Sequence, residues 1–179
     1  MDAMITEPTR STAQRRDLVD RRRRVSIRPI EPSDASSLSD FYAALSPRSR
    51  HQRFLGPSGL PAPEQIAKLS HAAGLVGILA EPGARDGAIV AHSSIHPDGR
   101  GGAEAAFAVA DELQGHGMGS RLMAATVSLA HRLGIHRLGA TLYADNLPMR
   151  RLLVDAGQLV DDSIEAGTEE ITLDLDRAA

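Results

Sequence analysis

The chain has 179 residues, 42% of them apolar, and it contains no cysteine. This length allows one α/β domain with a sizeable core. The missing cysteines exclude a disulfide framework, a thiolate metal site and a cysteine nucleophile. No apolar run is long enough to span a membrane, and the N-terminus lacks the apolar stretch of a signal peptide. We therefore expect a single soluble, cytoplasmic domain without a membrane partner.

Charge is distributed unevenly along the chain. The formal net charge is −3, but residues 1–28 carry eight arginines against four acids, a balance of +4 that leaves about −7 for residues 29–179. Residues 1–24 have little apolar surface to bury, so they are predicted to form a flexible Arg-rich arm before a domain over 25–179. We interpret the arm as a solvated tail or as a segment that packs on a partner subunit in a homodimer. Nucleic-acid binding by this arm is the less favoured interpretation.

The N-terminal half predicts a strand followed by helices. Val25 to Ile30 alternates apolar and polar residues, which is typical of a strand. Apolar spacings of three and four after a capping turn predict a helix that Pro47 ends. Two shorter helical segments follow, at 49–54 and 62–71.

The C-terminal half begins with strand-like periodicity. Apolar segments separated by turn residues predict three successive antiparallel strands, at 75–80, 88–95 and 104–110. The same signals then predict a helix, a strand, a helix and two strands, at 117–133, 137–143, 148–157, 159–164 and 170–175. The chain therefore has the predicted order β-α-α-β-β-β-α-β-α-β-β.

The stretch from Glu104 to Ser120 is the most informative. A predicted strand leads through a polar turn into three glycines at alternate positions, Gly115, Gly117 and Gly119. A loop without side chains lets several backbone N–H groups converge on one anion, and the following helix adds its unpaired N–H groups and the positive end of its dipole. This pattern predicts a phosphate-binding loop. It lacks the Lys-Ser/Thr of a P-loop and the Gly-x-Gly-x-x-Gly spacing of a dinucleotide fold, and a tight strand-to-helix turn is the plain alternative.

Two motifs resemble those of the GNAT superfamily of acyl-CoA N-acyltransferases. Gln114-x-x-Gly117-x-Gly119 resembles that family's pyrophosphate loop, and the segment 144–157 around Asn146 resembles its Asn-containing helix after the fifth strand. The predicted element order over residues 25–176 is also the order of that family. The resemblance implies an α/β (α+β) GNAT fold: a mixed central sheet of about six to seven strands flanked by about four helices. In that fold the strands before the glycine loop and before Asn146 splay apart.

A narrower resemblance concerns one loop-helix segment. Leu45-Ser-Pro-Arg-Ser-Arg50 through Arg53-Phe-Leu-Gly-Pro57, together with Asn146-Leu-Pro-Met149, is similar to the GNAT domain of bacterial Pat-type protein lysine acetyltransferases. It implies acetyl-CoA as co-substrate and a protein lysine as acceptor. A small amine or a peptide N-terminus remains an alternative acceptor. His51, Arg50 and Arg53 of the segment are candidates to line the acceptor site; alternatively, these side chains are simply solvated.

Glu104 is the candidate general base. A primary amine with a pKa of about 10.4 is protonated at neutral pH and cannot attack a thioester, so the site needs a proton acceptor. Glu104 opens the strand that leads into the loop, ten residues before Gln114, much as the family places its glutamate base. Burial beside apolar neighbours is expected to raise its pKa. The alternative is that Glu104 only caps a strand end at the surface.

The resemblance also implies the contacts to acetyl-CoA. Backbone N–H groups around Val109 and Ala110, freed where the strand splays, would stabilise the oxyanion that forms on attack. Asn146 would bond the pantetheine arm or, alternatively, form an Asx turn. Backbone amides of the loop and the first helical turn would hold the pyrophosphate; these belong to Gln114, Gly115, His116, Gly117, Met118, Gly119 and Ser120.

One departure from the family pattern concerns the general acid. Leu153 stands where many family members have a tyrosine that protonates the leaving thiolate, and Gln158 replaces a usual aromatic residue. The thiol of coenzyme A has a pKa near that of cysteine, about 8.5, so it can leave as thiolate with modest help from water or from Tyr143. Tyr143 is alternatively a packing residue. The missing tyrosine motivates a second hypothesis, a non-catalytic acyl-CoA-binding regulatory module whose basic arm contacts a partner or nucleic acid.

The histidines predict no metal site. His92 and His96 are four residues apart, but on a strand that spacing does not bring two ligands together as it would on a helix. We therefore expect no metal cofactor. The favoured hypothesis is an acetyl-CoA-dependent N-acetyltransferase that works by direct attack of a primary amine.

Overall fold

The computed structural model describes residues 24–56, 59–79 and 87–177. The predicted Arg-rich arm, apart from Arg24, lies outside the described residues, as does Pro57. Strands of the described part form one sheet: β1 Val25–Pro29, β2 Ala73–Leu79, β3 Ala88–Pro97, β4 Gly102–Val109, β5 Arg137–Tyr143, β6 Gln158–Glu165 and β7 Thr168–Asp174. The α-helices there are α1 Ala35–Ala44, α2 Pro47–Phe54, α3 Pro63–His71, α4 Met118–Arg132 and α5 Leu147–Val154.

The sheet is mixed, as predicted. Its strand order is β1-β2-β3-β4-β5-β7-β6. Every neighbouring pair is antiparallel except β4 and β5, which run parallel. A parallel pair needs a crossover, and α4 supplies it. The glycine loop therefore lies directly between the two parallel strands in sequence.

The segment before β2 contains one more helix than the predicted order. Pro47 does end α1, but it also opens α2 at the first helical position, where its missing N–H and fixed φ are tolerated. Ser46 caps this helix, because its hydroxyl accepts a hydrogen bond from the Ser49 N–H at 3.2 Å. The predicted helical turn at 49–54 is thus part of an eight-residue helix.

Helices cover both faces of the sheet. Adjacent residues of a strand point to opposite faces, and two neighbours on β3 show this. Ser93 shares a hydrogen bond of 2.8 Å with Thr126 of α4, whereas His92 shares one of 2.7 Å with Tyr42 of α1. The helices α1 and α4 therefore pack on opposite faces, and each encloses buried apolar residues against the sheet.

The parallel pair separates soon after it begins. The register between β4 and β5 ends at Glu104 opposite Gly139, although β4 continues to Val109 and β5 to Tyr143. This confirms the splayed strands of the predicted fold. A gap opens beyond Glu104, toward the glycine loop and α5.

Candidate active site

The gap between β4 and β5 opens into a cleft of about 440 Å³, within the range of small-molecule sites. Residues 105–109 and 140–142 of the two strands form its sides. Seven of the predicted site residues line it: Val109, Gln114, Gly115, Gly117, Gly119, Ser120 and Asn146. The other predicted residues, Glu104, Ala110, His116 and Met118, do not line it.

The glycine loop has the backbone geometry of an anion site. Gly115 and Gly117 have φ values of 68° and 82°, a left-handed conformation that L side chains rarely adopt. The first i→i−4 bond of α4 runs from Arg121 N–H to the Gly117 carbonyl at 3.2 Å, so the three preceding N–H groups, those of 118–120, have no acceptor within the helix. These donors and the positive helix end suit a pyrophosphate.

Gly119 also serves helix packing. A Cβ at this position would lie 2.8 Å from Cδ1 of Leu152 on α5, closer than a carbon contact allows. The absence of a side chain at Gly119 leaves room for the end of the Leu152 side chain, which would otherwise have to shift. The tight-turn interpretation of the glycines and the phosphate interpretation are thus both consistent with the geometry.

Gln114 differs from its predicted role. Its backbone N–H donates to the Asp111 carbonyl at 3.3 Å in the short 3-10 turn after β4. Its side-chain Nε2 donates to the Val109 carbonyl at 2.9 Å and to the Ser49 hydroxyl at 3.1 Å. These hydrogen bonds hold the start of the glycine loop in place. Because the Gln114 N–H is already bonded, it is not a free donor for the pyrophosphate.

Of the two predicted oxyanion donors, the Val109 N–H points into the gap, whereas the Ala110 N–H is bonded to β3. Ala110 N–H donates to the Val90 carbonyl at 2.8 Å, so the expectation that it is freed by the splay is wrong. In an antiparallel pair the donors alternate between facing and leaving the partner strand. Val109 pairs with Ala91 in the register of β3 and β4. Because the N–H of the next residue, Ala110, points to β3, the N–H of Val109 points to the opposite side, toward the gap. The N–H of Phe107, two residues earlier, points the same way.

Glu104 lies at the base of the gap. It is the last residue of β4 paired with β5, and its Oε1 accepts a hydrogen bond of 3.3 Å from the Thr141 hydroxyl. The side chain is exposed, so the expected burial beside apolar neighbours is wrong. The alternating pattern of β4 turns Glu104 outward because the residues on either side of it, Ala103 and Ala105, fill the core under α4.

Asn146 caps α5. Its Oδ1 accepts a hydrogen bond from the Met149 N–H at 3.3 Å, and the residue also lines the cleft. The Asx-type cap is therefore present, and the side-chain amide nitrogen remains the group that could reach a pantetheine. Both interpretations of Asn146 are compatible with this geometry.

The residues considered for the leaving thiolate lie away from the cleft. Leu153 is fully buried in the core beneath α5. Tyr143 stacks on His51 of α2, with ring centroids 4.6 Å apart and an interplanar angle of 13°, which agrees with a packing role. No tyrosine lies among the described residues that line the cleft.

Most of the residues on one wall of the cleft, the wall formed by α2, were not predicted from the sequence. Ser49, Gln52 and Arg53 of α2 line the cleft together, and Arg151 and Asp155 line it near α5. The spacing of the α2 residues by three and four places them on one helix face, which is the signal that could have selected them. Arg53 had been only a candidate for the acceptor side; its guanidinium donates to the Ser94 hydroxyl at 3.1 Å.

His92 takes a structural position. His92 is fully buried, and burial, followed by the nearby charges of Arg53 and His96, lowers its pKa to about 3. It is therefore neutral at physiological pH. In the part of the chain that the structure describes, no group of three or more His, Cys, Asp or Glu residues could hold a metal ion. No helix there is long and apolar enough to cross a membrane.

Comparison with known sequences identifies related proteins. The model of the acetyltransferase (GNAT) family matches residues 40–157. Acetyltransferase Pat of Mycolicibacterium smegmatis is 29% identical over 134 residues, which are 71% of this chain but 39% of that protein. Acetyltransferase PA5475 of Pseudomonas aeruginosa is 30% identical over 141 residues, 75% of each chain. The match thus spans about two fifths of the first relative and three quarters of the second.

Solved structures give the same result. The GNAT domain of S. lividans PAT superposes with a TM-score of 0.73 at 28% identity, covering 84% of this chain and 90% of that one. The yncA protein of Salmonella typhimurium, determined with acetyl-CoA, superposes with a TM-score of 0.65 at 19% identity, covering 87% of this chain and 96% of that one. At this identity the similarity shows the fold alone. The chain therefore belongs to the GNAT family of acetyltransferases.

Proposed function

We propose that this enzyme acetylates a primary amine by direct attack, with Glu104 as the general base and a protein lysine as the acceptor. The observation that carries the proposal is the early separation of β4 from β5. It leaves the Glu104 carboxylate at the closed end of the gap, bonded to Thr141, which lines the cleft, and the cleft extends from there to the N-terminus of α4. A base and an anion site along one gap between two strands are the two features that acyl transfer from a phosphate-bearing donor requires.

The cleft residues fit acetyl-CoA by their donors. N–H groups at the start of α4 and the left-handed glycines suit the pyrophosphate. The amide of Asn146 and the unpaired edges of the strands suit the pantetheine arm. Acetyl-CoA supplies an activated acetyl carbonyl and a thiolate leaving group. The Val109 N–H, which is directed toward the gap, would stabilise negative charge on that carbonyl oxygen.

Glu104 would take the proton of the ammonium directly or through one water. Its exposure gives water access to the carboxylate, and the Thr141 hydroxyl holds one of its oxygens. After Glu104 takes the first proton, the nitrogen forms a bond to the acetyl carbonyl carbon and the C–S bond of the thioester breaks, so that the sulfur leaves as thiolate without a tyrosine acid. The second proton on nitrogen passes to water or to the departing thiolate. Because the thiol has a pKa of about 8.5, a neutral leaving group is not needed.

Two observations support a cationic acceptor such as a lysine side chain. The segment 45–57 resembles the Pat-type domain, and the Pat relatives named above align with this chain. On β7, Glu170 stands opposite Thr141 in the register and is exposed. Directly opposed residues project from the same face, so Glu170 and Glu104 flank Thr141 on the face that also carries α2. Both carboxylates would attract an ammonium group.

The test combines binding with turnover. Acetyl-CoA affinity is measured by calorimetry, and thiol release is followed with lysine-containing proteins, lysine peptides, peptides with only a free N-terminus, and polyamines. We expect binding, together with thiol release that depends on a lysine side chain. Release with N-terminal peptides or polyamines alone would contradict the lysine assignment, and binding without release on any acceptor would contradict the catalytic role of Glu104.

A further inference from the structure

The helix α2 (Pro47–Phe54) is anchored to the end of β4 by a group of hydrogen bonds. The Asp111 carboxylate accepts from the Ser46 N–H and hydroxyl, both at 2.8 Å, and from the Ser49 hydroxyl at 2.7 Å. Gln114 adds the bond from its Nε2 to Ser49. Asp111 and Gln114 begin the segment that becomes the glycine loop, so the first turn of α2 is bonded to the loop itself.

The same helix contacts the end of the other splayed strand. His51, one turn after Pro47, stacks on Tyr143, the last residue of β5. The helix α2 therefore lies across the gap and contacts both of its sides.

Between these anchors α2 forms a wall of the cleft. Ser49, Gln52 and Arg53 all line it. Ser49 belongs both to this wall and to the hydrogen-bonded group at Asp111. Because Asp111 and Gln114 are both hydrogen-bonded to Ser49, a movement of the glycine loop would be transmitted to this wall through their side chains.

We propose that α2 is a brace across the splayed strands, and that Asp111 and Ser49 are positioning residues through which coenzyme binding at the glycine loop orders the acceptor-side wall. The inference rests on the proposed function, because it assigns the loop to the coenzyme and the α2 wall to the acceptor. Neither residue needs to touch the reacting atoms for this role. Their part is to hold Gln52 and Arg53 at a fixed distance from the loop.

The charge state of Asp111 supports the brace at working pH. Burial alone would raise the pKa of this carboxyl, but the hydrogen bonds from Ser49 and Ser46 outweigh burial and hold it below the usual value. The carboxylate is therefore ionised at neutral pH. Hydrogen bonds to an ionised acceptor are roughly twice as strong as neutral ones, so removal of this single side chain should loosen the first turn of α2.

The experiment measures hydrogen exchange with and without coenzyme A, which requires no acceptor. In the wild type we expect coenzyme A to slow exchange in the loop at 115–120 and also in α2 at 47–54. In Asp111→Ala and in Ser49→Ala we expect the loop protection to persist while the coenzyme-dependent protection of α2 falls about tenfold or more, which corresponds to about 1.4 kcal/mol. Ser49→Thr keeps the hydroxyl and should retain the wild-type pattern.

A matched control uses another carboxylate that accepts backbone donors. Asp98 bonds the N–H groups of Arg100 and Gly102 at the turn before β4, at the end of β4 away from the gap. Asp98→Ala should leave the coenzyme-dependent protection of α2 unchanged. Two results would overturn the brace. One is equal coenzyme-dependent protection of α2 in Asp111→Ala and in the wild type. The other is a wild type in which coenzyme A slows exchange in the loop but not in α2. A wild type that does not bind coenzyme A at all would instead contradict the proposed function.

Discussion

The hydroxyl of Thr141 on β5 donates a hydrogen bond of 3.3 Å to Glu104 on β4, just beyond the last point at which the two strands are paired. The bond joins the strands at the base of the gap and orients the carboxylate toward the face that carries α2. The candidate base is thus held by the strand on the other side of the cleft.

Replacing Thr141 by valine should lower the turnover rate while leaving acetyl-CoA binding intact. Valine keeps the shape of threonine but cannot donate, so Glu104 loses its orientation and not its charge. We expect kcat/KM to fall about fivefold, near 1 kcal/mol, which is below the usual value for a bond to a charged group because Glu104 is exposed. Steady-state kinetics with calorimetry of acetyl-CoA checks this. A valine variant with wild-type turnover would show that the hydrogen bond has no part in catalysis.

An alanine at Gly115 should weaken coenzyme binding specifically. A Cβ there meets no atom within 4 Å, and the residue has a φ of +68°, so the substitution both strains the backbone and fills space that the pyrophosphate is proposed to occupy. We expect acetyl-CoA affinity to fall about tenfold, or about 1.4 kcal/mol. Gly99 is the matched control, because its φ is +72° and its Cβ would also meet nothing within 4 Å.

Gly99→Ala carries the same backbone strain, about 1–2 kcal/mol, at the turn between β3 and β4. We therefore expect both alanine variants to lower the free energy of unfolding by similar amounts. Only the Gly115 variant should lose affinity for acetyl-CoA in calorimetry. Equal affinities in the two variants would mean that the loop does not bind the coenzyme.

Buried His92 should make the fold sensitive to mild acid. Its pKa is about 3 in the folded protein and near 6.5 in an unfolded chain. Between these values the unfolded state binds more protons, so stability is fully present above pH 6.5 and falls as the pH drops through this window, by up to about 1.4 kcal/mol per pH unit. Denaturant unfolding at pH 7.5, 6 and 5 measures the effect.

The control for this effect is His92→Gln, which does not titrate. Glutamine keeps an acceptor for the Tyr42 hydroxyl, the group that His92 Nδ1 bonds at 2.7 Å. This variant should lose less stability than wild type between pH 7.5 and 5. Parallel pH profiles for the two proteins would mean that other groups cause the acid sensitivity.

Local sequence signals predicted nearly all of the fold. Alternation and helical spacing placed the strands and most helices, because each element buries one apolar face and that face repeats with a fixed period. The glycine loop and Asn146 predicted the ends of the cleft, because each of these motifs lies within a short stretch of sequence. The beginning of α2 at Pro47 was harder to predict, because a proline that can end one helix can equally begin the next.

What the sequence did not reveal depends on contacts between distant residues. Ser46 and Asp111 are 65 positions apart, and no local pattern pairs them. The engagement of the Ala110 N–H follows from the register of β3 against β4, which one residue of slip would change. The exposure of Glu104 likewise depends on which face of β4 the core occupies, and that is decided by packing under α4.

The most direct test of the account compares Glu104→Gln with wild type in acetyl-CoA binding and in thiol release with the best lysine acceptor. Glutamine keeps the size of the side chain but cannot accept the proton, and general base catalysis contributes roughly 10²–10⁴-fold. We predict a loss of kcat of at least about 100-fold with an unchanged acetyl-CoA affinity. For Glu170→Gln, which removes a carboxylate that attracts the ammonium group but not the base, we predict a raised KM for the lysine acceptor with a near-normal kcat. Wild-type turnover in Glu104→Gln would contradict the assignment of Glu104 as the base.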